Sequence, residues 1–161
     1  MSDLLTPSDL GHLRRCVALA AEALDAGDDP FGSVLVAGDG TVLAEERNRE
    51  VSSGDPTAHP ELALARWAAA HLPPQQRGDT TVYTSGEHCA MCAAAHAWVG
   101  LGRIVYAHSS TQLVGWRASL GRPASPVRAL AVNDVAPDVV VVGPVPPLDE
   151  EMRRLHMRAA S

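Results

Sequence analysis

Apolar residues between positions 6 and 26 fall at Leu10, Leu13, Val17, Ala20, Ala21 and Leu24. These steps of three and four predict one amphipathic helix, with Thr6 or Ser8 as cap and Gly27 as stop. Cys16 lies beside the stripe as a small core residue. The period then changes. Residues 31–37 form a short apolar run that predicts a buried strand, 38–40 a hairpin turn and 41–47 a returning strand. Residues 48–57 carry Gly, Asp, Ser and Pro and predict a loop. Helical spacing resumes over 59–71, with Pro60 in a first turn that has no use for its N–H, and Pro73-Pro74 ends it. Strands are predicted over 80–84 and 103–107, an alanine-rich helix over 89–99 and a short helix over 112–120. Residues 127–132 and 139–142 have strand character, and 121–126 is a Pro/Gly loop. The acids Asp149, Glu150 and Glu151 open a last helix, where they suit its dipole. A hairpin followed by alternating strands and helices predicts one α/β domain over 1–161, with helices on both faces of a single sheet.

Composition narrows the function classes. The chain has 161 residues, 46% of them apolar, which suffices for a core without any run long enough for a membrane helix. The start, Met1-Ser2-Asp3-Leu4, has neither the basic opening nor the apolar stretch of a secretion signal, so a soluble, cytoplasmic protein is expected. A net charge of −6 disfavours a protein that grips nucleic acid on a broad basic face, though a local patch is compatible with it. All 13 basic residues are arginine. Without lysine there is no Schiff-base lysine, no pyridoxal phosphate anchor and no P-loop lysine.

The remaining chemistry gathers at two predicted helix starts: His59-Pro60-Glu61 and Cys89-Ala90-Met91-Cys92. A C-x-x-C at a helix N-terminus places two sulfurs one turn apart, where the dipole favours thiolate. Metal site, redox dithiol and coincidence are the three readings of such a pair. His59 opens the other helix and is a third candidate donor. One strand separates the two helices in sequence, so both N-termini can meet at one sheet edge, where sites in α/β sheets cluster. Three protein donors leave a fourth position for water, as in catalytic zinc sites. Glu61, two residues on, is placed to move protons; an ordinary first-turn acid is the plainer alternative. A fourth ligand from His88 would close the site.

The pattern H-x-E followed by C-x-x-C is that of zinc deaminases. With Pro30-Phe31-Gly32, Asn48, residues 55–61 and residues 84–92, the chain resembles the cytidine-deaminase-like superfamily. The likeness lies with its bacterial guanine deaminase and tRNA adenosine deaminase branch and spans about residues 8–110. It implies a three-layer α/β/α sandwich around a five-stranded mixed sheet. It implies one zinc ion per chain on His59, Cys89 and Cys92, and Glu61 as the proton shuttle. Asn48 would hold the edge of the base and Phe31 would border it; a turn residue and a core residue are their plainer readings. The resemblance also implies a homodimer that deaminates a free nucleobase or a related pterin or triazine. The alternatives are a tRNA wobble adenosine deaminase and a cytosine or cytidine deaminase. Two positions depart from the family pattern: Pro60 replaces the usual alanine, and His88 the usual proline.

Overall fold

A computed structural model describes residues 5–159. Its elements are α1 (Pro7–Asp25), β1 (Gly32–Val36), β2 (Val42–Arg47), α2 (Glu50–Ser53), α3 (Pro60–His71), α4 (Pro74–Arg77), β3 (Thr81–Gly86), α5 (Ala90–Val99), β4 (Arg103–His108), α6 (Ser110–Ser119), α7 (Val132–Val135), β5 (Val141–Val142) and α8 (Leu148–Ala159). The sheet has five strands in the order β2-β1-β3-β4-β5. β1 runs antiparallel to both β2 and β3, while β4 is parallel to β3 and β5 to β4. Four strands therefore point one way. The segments that leave β2, β3 and β4 and the segment that enters β1 share one edge. The mixed sheet and the expected strand number are as the resemblance implied.

Side-chain alternation makes three layers. Val34, Val36, Tyr83, Val105 and Ala107 pack beneath α1 and α8 with Leu13, Cys16, Ala20 and Met152. Leu35 and Val82 turn the other way, onto Leu64, Ala65 and Ala68 of α3. Ile104 and Tyr106 meet Ala93 of α5 and Val132 of α7. Gly32 lets α1 approach β1: a Cβ there would stand 2.5 Å from the Leu19 Cβ and 2.6 Å from the Cys16 carbonyl oxygen. Among the described residues no helix is long and apolar enough to cross a membrane.

Three expectations change. Residues 48–57 contain the single-turn helix α2, closed by Gly54 in the left-handed region at φ 70°. The strand expected at 139–142 shrinks to two residues. Residues 127–132 form no strand. The Val132 N–H donates to the Glu87 carboxylate at 3.0 Å instead of to a neighbouring strand, and the Val127 side chain is half exposed.

Asp9 ties the outer layer to the sheet. It closes a capping box with Thr6 at the start of α1. Its carboxylate also accepts from the Tyr83 hydroxyl at 2.6 Å and the Arg103 guanidinium at 2.7 Å. Burial pushes its pKa up, but the hydrogen bonds from Thr6, Tyr83 and Arg103, with the Arg103 charge, outweigh this and hold it at about 2. Asp9→Asn is expected to cost about 3 kcal/mol by urea unfolding, because Arg103 loses its partner. A depressed carboxylate stabilises the fold above its unfolded pKa. The difference between wild type and Asp9→Asn should therefore be complete above about pH 4 and shrink as the pH falls towards 2.

Candidate active site

The sheet edge assembles the site. His59 is the N-cap of α3 with extended backbone (φ −86°, ψ 140°), and Pro60 occupies the first helical position, where an N–H would be an orphan. Cys89 is the N-cap of α5, and Cys92 lies one turn in. The His59 Nδ1 stands 3.5 Å from the Cys89 Sγ and 3.6 Å from the Cys92 Sγ. The three donor atoms lie within 4.8 Å of one another, the one such group of three or more metal-type donors among the described residues. Bond lengths of about 2.0 Å to nitrogen and 2.3 Å to sulfur in a tetrahedron put N and S about 3.5 Å apart. The donor set, one imidazole and two sulfurs, and its spacing both fit zinc.

Glu50, in the stretch read as loop, orients the histidine. Its Oε1 lies 3.3 Å from the His59 Nε2. A carboxylate accepts, so that nitrogen carries the proton and Nδ1 is left as the donor facing the sulfurs. The same carboxylate accepts from the Asn48 amide at 2.7 Å, and the Glu50 N–H returns a bond to the Asn48 Oδ1 at 2.9 Å. Asn48 is thus buried and engaged with Glu50, with one N–H and one lone pair still free. A sequence clue was available: Asn48-x-Glu50 is an Asx turn just upstream of a ligand histidine, and such histidines generally take a carboxylate on the outer nitrogen.

Among protein groups alone, hydrogen bonds to Cys89 and Glu50 raise the His59 ring to about 10. Hydrogen bonding from Cys92, with His59 also contributing, brings the Cys89 thiol down to about 4, while the shared proton pushes Cys92 up. Metal loading must therefore release protons.

Glu61 has a different setting. It is buried, and burial raises its carboxyl to about 7. Its polar neighbour Ser33 stands at 3.4 Å, but Ser33 donates a shorter bond of 2.8 Å to the Thr84 Oγ1. One hydroxyl has one proton, so Ser33 holds Glu61 weakly; the Cys92 thiol and the residue's own backbone N–H also donate to it, and burial outweighs all three. His88 does not join the donors. Its ring is buried against His96, perpendicular at 5.4 Å between centroids. Phe31 lies at the mouth of β1, its carbonyl accepting from the Asn48 N–H at 3.0 Å.

Fold and site together define an α/β chain with a three-donor zinc-type centre beside a buried carboxylate. Residues 7–108 match the family model described as the cytidine and deoxycytidylate deaminase zinc-binding region, and the chain belongs to that family. It is 42% identical over 100 residues to the guanine deaminase of Bacillus subtilis, a stretch that covers 62% of this chain and 64% of that one. It is 39% identical over 88 residues to a tRNA-specific adenosine deaminase of Agrobacterium fabrum, covering 53% and 57%. The chain thus spans under two thirds of either relative's length. Among solved structures it superposes on a guanine deaminase from Nitrosomonas europaea with a TM-score of 0.74 at 20% identity, over 96% of this chain and 85% of that one. At that identity the likeness is one of fold.

If Glu50 holds the ring as described, Glu50→Gln should weaken zinc binding about 10- to 100-fold with the fold intact. Competition with a chromogenic chelator measures this, with circular dichroism as the control.

Proposed function

We propose that this chain hydrolyses the exocyclic amino group of a free nucleobase or related amino-heterocycle (a guanine-like purine, a pterin or a triazine), releasing ammonia. The observation that carries the reading is Glu61: a buried carboxyl, raised to about 7 because burial outweighs the hydrogen bonds it accepts, beside three zinc-type donors. When bound, a zinc ion supplies a Lewis acid that brings the pKa of water to about 7. His59, Cys89 and Cys92 hold it, and Glu50 keeps the imidazole in the right tautomer.

Glu61 moves the protons. A carboxyl that titrates near neutrality can both take and give a proton at the working pH. It takes one from water as the hydroxide adds to the amino-bearing carbon and gives it to a ring nitrogen; it then carries the new hydroxyl's proton to the amino nitrogen, so that the C–N bond breaks and ammonia leaves. Asn48 uses its free N–H and lone pair on the ring's edge, and Phe31 borders the ring. A small ring is favoured over tRNA because the chain is acidic and is 42% identical over 100 residues to a guanine deaminase. The reading includes a cytoplasmic homodimer; Trp98, 88% exposed on α5, is a residue of the kind that assembly covers.

Zinc-loaded protein should release ammonia from one member of a panel of guanine, adenine, cytosine, their nucleosides, pterins and triazines. Silence across the panel would end this reading, and inosine formed in a tRNA stem-loop would move it to nucleic acid. With the active ring, Glu61→Gln should lower kcat by about 10²- to 10⁴-fold at unchanged zinc content.

A further inference from the structure

Four rings meet at the sheet edge that also carries the metal-type donors, and three of them come from residues outside the family motifs. β4 ends at His108, which pairs in register with Gly86 at the end of β3. Gly86 makes room for it: a Cβ there would stand 2.7 Å from the His108 ring and 3.3 Å from Phe31. His156 comes in from α8, its centroid 5.1 Å from that of Phe31 and 5.2 Å from that of His108, edge-on to both. Trp116 of α6 completes the group, 4.9 Å from His108 and 5.8 Å from His156. The link to the site is short. Gly86 precedes Cys89 by three residues, the Phe31 carbonyl holds the Asn48 N–H, and Ser33, next in β1 after Gly32, touches Glu61.

Both imidazoles are buried, and each has an Nε2 with no hydrogen-bond partner. Among the described residues the other two such nitrogens are the Nδ1 atoms of His88 and His96; the pair at His108 and His156 differs in being flanked by Phe31 and Trp116 at the sheet edge where the site assembles. Their chemistry can be read further. The His108 Nδ1 lies 3.2 Å from the Ser109 carbonyl, which can only accept, so Nδ1 bears the proton and Nε2 is a bare acceptor. Burial lowers His108 to about 4 and His156 to about 3, so both rings are neutral at pH 7.

We propose that His108 and His156, walled by Phe31 and Trp116, bind the polar edge of the substrate ring and decide which heterocycle is accepted, with the His108 Nε2 taking a hydrogen bond from a ring N–H or amino group. This rests on the reading of the chain as a ring deaminase. It names the missing half of that site: a flat, N–H-bearing heterocycle recognised from the α6 and α8 side.

The test is equilibrium binding to the zinc-loaded full chain, by calorimetry and tryptophan fluorescence, with 8-azaguanine, 2,6-diaminopurine, cytosine, pterin, melamine and unsubstituted purine as probes. For the tightest probe, His108→Phe and His156→Phe should each raise Kd by roughly tenfold or more, and His108→Asn, which keeps an acceptor, by less. Purine, with no amino group, should lose less on His108→Phe than its amino-bearing relatives. Trp116→Phe should abolish the fluorescence change on binding. Where a histidine variant does not fold, Trp116→Ala, at a partly buried position, carries the same comparison, with an expected rise in Kd. Folded, zinc-replete variants whose affinities and probe ranking stay within about twofold of wild type would overturn the proposal. So would a wild type that binds none of the probes. Binding that responds to both histidines without any ammonia release would overturn the deaminase reading and leave this one standing.

Discussion

The site exists because one imidazole nitrogen and two sulfurs converge at 3.5 and 3.6 Å. Two helix starts on one face of the sheet must coincide for that to happen. The sheet arranges it by reversing a single strand. β1 runs against β2 and β3, so β2 and β3 point the same way although they are not neighbours. The chain leaving β2 reaches His59, and the chain leaving β3 reaches Cys89. Gly32 enters the same arrangement, since only a residue without a side chain lets α1 lie against β1 at that distance.

Two glutamates near the centre show how environment divides one chemistry into two roles. Glu50 is partly buried, which by itself would raise its pKa, but hydrogen bonds from His59 and Asn48 bring it below the usual carboxylate range. It is a fixed anion that holds an imidazole. Glu61 is more deeply buried, and that burial outweighs the hydrogen bonds it accepts, so its proton is retained to near neutrality. That setting suits it to the proton-moving role proposed for it. Exchanging their surroundings would exchange their roles, because nothing in the side chains themselves differs.

The sequence showed what periodicity and capping encode. The helix at 6–26, the hairpin, the Pro60 start and the cysteine helix were all legible because each is specified by residues close together along the chain. The donor set was legible for the same reason: each half of it opens a helix. Glu50 was missed because α2 is one turn long, held by an Asx turn and a glycine cap, and leaves no periodic trace. The false strand at 127–132 had the right residues. Its fate was decided by the Glu87 carboxylate, 45 residues upstream, which takes the Val132 N–H. His108 and His156 are 48 residues apart and meet only through the fold.

The two departures from the family pattern now have physical content. Pro60 costs the helix nothing, since a first-position N–H has no helical partner, yet it removes one backbone donor from the rim of the centre. His88 replaces a proline and turns inward, its ring against His96 and its Nδ1 unpaired, so it adds no donor to the pocket. The motif side of the site is therefore poorer in polar groups than the family pattern provides. Neutral polar capacity is found on the opposite side, in the two unpaired imidazole nitrogens brought by β4 and α8. A ring that must be oriented before its amino carbon can react needs polar contacts from somewhere. In this chain the two unpaired nitrogens come from His108, the last residue of the matched region, and from His156, well beyond it.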